Sequence, residues 1–202
     1  MHIIGASGHG KVILDSISCA AQQVFGVWDD NPSTPDFFGY EISGNLKDFI
    51  KIASNQYIVA IGNNETRKYV VEQLLETTAT AIHPQSVISK QATLGLGTVV
   101  MANATVNIGA VVGKHVIVNT NASIDHDCII GDYAHISPQV GLAGNVAIGE
   151  GSHIGIGAMV IQGVKIGKWV KIGAGAVIIA DIPDYAVVVG NPGKIIKYNQ
   201  IR

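Results

Sequence analysis

Aromatic residues are scarce in this chain, 6% of 202 residues, and no stretch of 18 apolar residues occurs. So few rings suit a narrow interior, and the second absence leaves no candidate for a transmembrane helix. Charge of one sign is also lacking. The net charge is −2, so no broad basic face is available for nucleic acid or anionic lipid. Only two cysteines are present, Cys19 and Cys128, in unrelated places. Met1 leads directly into a strand-like His2-Ile3-Ile4-Gly5, so no signal peptide and a cytoplasmic location are the expectations. Glycine, by contrast, is plentiful at 24 residues, and mean hydropathy is +0.33.

That hydropathy is spread by a repeat six residues long. From Ile88 the first slot stays aliphatic: Leu94, Val100, Val106, Val112, Val118, and on without insertion to Ile178. The fifth slot is small or aliphatic from Ala92 to Ile182, so Cys128 reads as a small buried hydrophobe. A period of six would smear an aliphatic slot around a helix. Short β-segments joined by turns can hold it, with slots one and five facing inward. Three hexads, eighteen residues, would close one triangular coil. Every third hexad carries glycine in its second slot (Gly95, Gly113, Gly131, Gly149, Gly167), which predicts an edge where a turn repeatedly needs φ > 0. The repeat leaves phase near Pro183, and the segment from Val187 to Tyr198 is placed to cap the last coil.

The residues ahead of the repeat differ. His2–Gly5 reads as a strand, followed by Gly5-Ala6-Ser7-Gly8-His9-Gly10-Lys11 and a helix from Val12 to about Ala20. A glycine-rich turn between strand and helix suits a phosphate, although a ligand-free turn is the plainer alternative. A second strand, Val24 to Trp28, ends in Asp29-Asp30, placed to accept hydrogen bonds from a ligand. A third, Tyr57 to Ile61, ends in Gly62-Asn63-Asn64, with a helix from about Glu65 to Glu76 carrying Arg67. Three strand ends would gather at one edge of a small parallel sheet, where such sheets bind ligands. Two domains follow: 1–82, Rossmann-like, and 83–202, the solenoid.

Of seven histidines, His126 stands out. It lies between Asp125 and Asp127 in the third slot of its hexad, and the residue one coil on is Gly144. A carboxylate raises histidine basicity and fixes its tautomer. Gly144 would leave space over the imidazole and a backbone N–H beside it. A base and an oxyanion donor are two ingredients of acyl transfer. A solvated turn histidine is the alternative. His135 and His153 should stack, but Lys171 is next in their column and no third ligand completes a metal site.

Gly5-Ala6-Ser7-Gly8-His9-Gly10, Asp29-Asp30, Gly62-Asn63-Asn64, Asn119-Thr120, Ile124-Asp125-His126-Asp127-Cys128-Ile129-Ile130-Gly131, His135 and Ala143-Gly144-Asn145 together resemble bacterial sugar acetyltransferases of the NeuD/PglD group. The resemblance covers nearly the whole chain. It implies an α/β Rossmann-like βαβ domain followed by a left-handed parallel β-helix. It also implies N-acetylation of a UDP-linked 4-amino-4,6-dideoxy sugar, with acetyl-CoA as co-substrate and no permanently bound cofactor. His126 matches the general base and Asp127 its polarising acid, commonly Glu in that group. Gly144, His135 and Ile156 match acetyl-CoA contacts. Ser7, Gly8, His9, Asp29, Asp30 and Gly62 match the nucleotide-sugar pocket. A homotrimer with active sites between subunits is implied. Gly193 departs from the Gly-Asn-Pro-Ala-Lys ending. O-acetylation of a sialic-acid-type hydroxyl, a GDP- or dTDP-sugar, and a non-catalytic nucleotide-sugar-binding scaffold are the competing expectations.

Overall fold

The hexads become short strands on three ladders wrapped round one interior, in a computed structural model that describes residues 1–32 and 35–199. Face I begins with Ala81–Ile82 and continues through Val99–Val100, Ile117–Val118, His135–Ile136, His153–Ile154 and Lys171–Ile172. Face II runs from Val87–Ile88 through Ser123–Ile124 to Val177–Ile178, and face III from Thr93–Leu94 through Ile129–Ile130 to Lys165–Ile166. Pairing is parallel at a shift of one coil: Thr105 with Ser123, then Ser123 with Gly141. The ladder on face I therefore takes in Ala81–Ile82, the last residues of the expected first domain.

The predicted inward slots form one continuous core from Val100 to Ile182, which Ala186 and Val188 of the closing segment extend. Burying an aliphatic side chain contributes about 1.5–3 kcal/mol, so the column of them can offset the ordering of so many turns. The polar inward residues are satisfied. Thr98 Oγ donates to the Gly113 carbonyl and accepts from Val116 N–H, and Ser152 repeats the arrangement with Gly167 and Val170.

The glycine column exists for a different reason from the one expected. Gly95, Gly113, Gly131, Gly149 and Gly167 do not have positive φ. A Cβ on Gly95 would instead lie 2.5 Å from the Gly113 carbonyl, and one on Gly149 the same distance from the carbonyl carbon of Gly167. These glycines permit coils to stack closely. The left-handed conformation belongs to the fourth slot: Gly97, Asn103, Gly109, His115, Asn121, Asp127, Tyr133, Gln139, Asn145, Gly151 and onward to Gly175. Gly, Asn and Asp recur there because they tolerate αL best.

The solenoid closes as predicted from its loss of phase. Ala186–Val189 adds a parallel rung to Lys171–Ile172, and Lys194–Tyr198 folds back antiparallel on it.

In the N-terminal unit, β1 (His2–Ile4), β2 (Gly26–Trp28), β3 (Asp36–Phe37), β4 (Tyr40–Gly44) and β5 (Tyr57–Val59) form a sheet in the order β3-β4-β2-β1-β5. Both β1 pairings are parallel. Helix α1 spans Gly8–Cys19, α2 Leu46–Ile52 and α3 Asn64–Val71. The hairpin β3-β4 and α2 lie in a stretch where no element was expected. Helix α1 starts four residues earlier than expected, because Ser7 is extended and Gly8-His9-Gly10 already coil. Gly10 is needed there: its Cβ would stand 2.3 Å from the Gly5 carbonyl oxygen. The apolar side of α1 (Ile13, Ile17) packs with Val99, Met101 and Ile117 on the outside of face I. No described helix is long and apolar enough to cross a membrane.

Candidate active site

The turn from Ser123–Ile124 to Ile129–Ile130 forms the corner between faces II and III, and His126 projects from it. Asp127 Oδ2 lies 2.9 Å from His126 Nδ1. Asp127 takes the left-handed fourth slot, φ 59°, a conformation that Asp adopts more readily than most residues. Asp125 Oδ1 accepts from the His126 backbone N–H at 2.7 Å and from Asn107 Nδ2 at 2.9 Å. The imidazole is thus held through its ring and its backbone. The hydrogen bond to Asp127, then the charges of Asp125 and Asp127, push its pKa up. With Nδ1 committed to the carboxylate, Nε2 keeps the free lone pair.

Gly144 sits over that nitrogen. A Cβ there would be 2.4 Å from Nε2. At two neighbouring corners the N–H is held by the preceding side chain, Thr120 by Asn119 and His126 by Asp125. Ala143 precedes Gly144 and offers no acceptor. Among the described residues the Gly144 N–H donates to nothing. His126 and Asp127 side chains are 49% and 60% exposed.

A second cluster lies between the N-terminal unit and face I, in a cleft of about 350 Å³ lined by His9, Gly62, Asn63, His135, His153 and Lys171 among others. His135 and His153 stack, ring centroids 4.7 Å apart, and His9 stands 6.0 Å from His135. Asn119 Oδ1 accepts from Thr120 N–H, which turns its amide nitrogen to His135 Nε2 at 3.0 Å. The His135 proton therefore sits on Nδ1, which is buried on the side of the Gly62 backbone; His9 Nε2 is buried with no hydrogen-bond partner among the described residues. Burial, then the charges of His153 and Arg67, lower the His135 pKa to about 2; burial and Arg67 lower His9 to about 4.

The amides of Gly8, His9 and Gly10 open α1 with no protein acceptor among the described residues. Ser7 makes no side-chain cap, and the space beside Gly8 is open. The carboxylates behind this loop already serve the backbone. Asp29 accepts from Ala6 N–H at 2.6 Å and Asn31 N–H at 2.8 Å, and Asp30 accepts from Leu46 N–H at 2.8 Å. Each shapes a loop; a carboxylate's four acceptor positions leave capacity for a ligand.

The site residues expected from sequence therefore fall into separate groups within one chain. His126, Asp127 and Gly144 meet at the II/III corner. Ser7, Gly8, His9, Gly62 and His135 border the N-terminal unit and face I. In a triangular prism the II/III corner is opposite face I, so the two groups are a prism width apart. Ile156, exposed, marks a third place, the corner between faces I and II.

Sequence reading missed the latch that orients the cleft. Arg67 is 1% exposed. Its guanidinium donates to carbonyls of Ile61 at 2.9 Å, His115 at 2.9 Å and Tyr133 at 2.6 Å, and to Asn64 Oδ1 at 3.0 Å. It has no carboxylate partner among the described residues, and burial lowers its pKa to about 9. Asn64 Nδ2 adds a bond to the Gly151 carbonyl, and Lys68 pairs with Glu150. An arginine in a short polar helix gives no sequence signal that it will be buried.

Two family models match: the PglD N-terminal domain over residues 1–74, and the bacterial transferase hexapeptide (six repeats) over 109–144 and 145–180. The acetyltransferase domain of PglB from Neisseria gonorrhoeae FA1090, solved with acetyl coenzyme A, is 39% identical over 96% of this chain and 98% of that one, with a TM-score of 0.90. The chain belongs to the PglD-type family of hexapeptide-repeat acetyltransferases. A histidine-to-asparagine variant of perosamine N-acetyltransferase from Caulobacter crescentus, in complex with CoA and GDP-perosamine, is 34% identical over 97% of this chain and 96% of that one, TM-score 0.90. A curated relative, UDP-N-acetylbacillosamine N-acetyltransferase of Bacillus subtilis (strain 168), is 39% identical over 108 residues, half of each chain.

Proposed function

We propose that this protein transfers the acetyl group of acetyl-CoA to the amine of a nucleotide-linked sugar, with His126 as general base. The observation that carries the reading is the His126–Asp127 pair under an unencumbered Gly144. The relatives acting on amino sugars favour nitrogen over a hydroxyl as acceptor.

The sugar amine attacks the thioester carbonyl as His126 Nε2 takes its proton. Asp127 holds Nδ1–H and stabilises the imidazolium that forms. The Gly144 N–H donates to the oxyanion of the tetrahedral intermediate. Collapse breaks the carbon–sulfur bond, and the thiolate leaves as CoA, protonated from His126. General-base catalysis contributes on the order of 10²–10⁴-fold.

The nucleotide-sugar would lie along the first turn of α1, phosphates on the amides of Gly8, His9 and Gly10, with Ser7, Asp29, Asp30 and Gly62 around it. Ile156 and His135 would meet acetyl-CoA. Because the base is a prism width from its own chain's cleft, a second copy must bring the two together, and a homotrimer supplies that neighbour. Val111 and Ile129 on face III and Val87 and Met159 on face II are exposed apolar residues that such packing would cover. The acceptor we favour is a UDP-4-amino-4,6-dideoxy sugar, used in the cytoplasm for glycan synthesis.

The test is thiol release from acetyl-CoA with a panel of UDP-, GDP- and dTDP-linked 4-amino sugars. Turnover with one of them and none with its 4-hydroxy counterpart is expected. No release with any amino sugar would overturn the reading.

A further inference from the structure

We infer that Gly109 is a positioning residue for acetyl transfer: the side chain it lacks is what lets the Asp127 carboxylate turn to His126. Gly109 occupies the left-handed fourth slot of the II/III corner one coil before Asp127. A Cβ at 109 would lie 2.4 Å from Asp127 Oδ1. Oδ2 of the same carboxylate makes the 2.9 Å contact with Nδ1. The two oxygens move as one rigid group, so displacing the first swings the second off the ring. Gly144, one coil after His126, clears the other side.

Backbone conformation alone does not account for Gly109. The corner column runs Gly109, Asp127, Asn145, Gly163. Gly163 has the same φ, +74°, yet a Cβ there would meet nothing within 4 Å. Alanine at either position bears the same left-handed strain; only at 109 does it reach the carboxylate. The carboxylate ends a flexible side chain, so it can rotate away and the fold survive. Two acids face His126, Asp125 and Asp127. Asp125 is anchored by Asn107 and the His126 N–H and stays in place. Asn107, Ile108, Gly144 and Asn145 in the adjoining coils carry no charge.

This inference rests on His126 and Asp127 acting as the proposed pair. The experiment compares Gly109→Ala with Gly163→Ala in the full-length protein, following the His126 imidazole by NMR titration alongside kcat and KM. We expect Gly109→Ala to lower the His126 pKa and cut kcat by about tenfold or more, with KM for both substrates within twofold. Gly163→Ala should leave the titration and kcat unchanged. In an Asp127→Gly background, which has no carboxylate to displace, Gly109→Ala should add no further loss. An unshifted His126 titration in Gly109→Ala, or equal shifts in both alanine variants, overturns the inference. A shifted titration with wild-type kcat also overturns it, because the carboxylate's position then has no bearing on acetyl transfer. Should Gly109→Ala not fold, Gly109→Ala/Asp127→Gly must regain the fold; if it does not, the obstruction is not the carboxylate and the inference fails.

Discussion

At the II/III corner, His126 stands half-exposed between two carboxylates; on face I, His135 and His153 stack beneath the N-terminal unit, with Arg67 as a charged neighbour. The same side chain is driven in opposite directions. Its acid partners raise His126, whereas burial first and nearby cations second lower His135 and His153. A turn corner gives a group solvent and adjacent polar side chains; a covered sheet face gives it packing. The corner is therefore where chemistry can be changed at small cost to the fold, and the face is where changes cost stability.

The largest expected effect tests that division directly. His126→Ala should lower kcat by at least about 10²-fold while its melting temperature stays near wild type. His135→Ala should lower the melting temperature, since it removes a stacked, buried ring. Kinetics and calorimetry on both variants check the pair; a His126→Ala enzyme with wild-type kcat would remove the corner as the chemical site.

Arg67→Met should come next. It leaves the carbonyls of Ile61, His115 and Tyr133 without their donor, at a cost of about 3 kcal/mol, or roughly 10 °C in melting temperature for a chain this size. The N-terminal unit should become more accessible to protease while the solenoid resists. Uniform loss of protection would show that Arg67 is not an inter-unit latch.

The buried histidines give a pH prediction. His9, His115 and His135 have folded-state pKa values lowered to about 4, 4 and 2, chiefly by burial. The unfolded chain protonates them near the ordinary 6.5. Below that pH the unfolded state binds more protons, so stability is complete above it and falls as pH drops toward 4. Each histidine contributes up to about 1.4 kcal/mol per pH unit. Melting temperature should be flat from pH 7 to 8 and decline from 6.5 to 4. His115→Asn should shallow that decline; an unchanged slope would mean that His115 is already protonated in the fold.

The contrast also sorts what could be read from sequence. The hexad phase placed every inward side chain from Val100 to Ile178, and adding eighteen set Gly144 over His126, because stacked coils convert sequence separation directly into contact. The same arithmetic misjudged Gly95 and its column: a recurring glycine signals either a special φ or a close neighbour, and only the coil spacing decides which. The fourth-slot pattern of Gly, Asn and Asp was there to be read as the true left-handed position. The N-terminal unit has no such translation rule. Arg67 was visible in α3, but its burial depends on carbonyls 48 and 66 residues away. Asp29 was correctly placed at a strand end, yet its bond to Ala6 follows from how β1 and β2 end side by side.

Asp127→Asn is the smallest perturbation and the most specific. The amide keeps the size of the carboxylate and can still accept from Nδ1–H, so the imidazole should stay in place and kcat should fall less than in His126→Ala. What is lost is the charge that favours imidazolium. Asp127 is the first cause of the raised His126 pKa, with Asp125 adding a smaller push. A base must be neutral to act, so the rate rises with pH through that pKa. Lowering it moves the acidic limb of the pH–rate profile to lower pH, and part of the activity lost at pH 7 should be absent at pH 5.5. Asp125→Asn should move the limb in the same direction by less, since Asp125 holds the backbone N–H rather than the ring. If the Asp127→Asn profile overlays the wild type, the carboxylate orients His126 without tuning it.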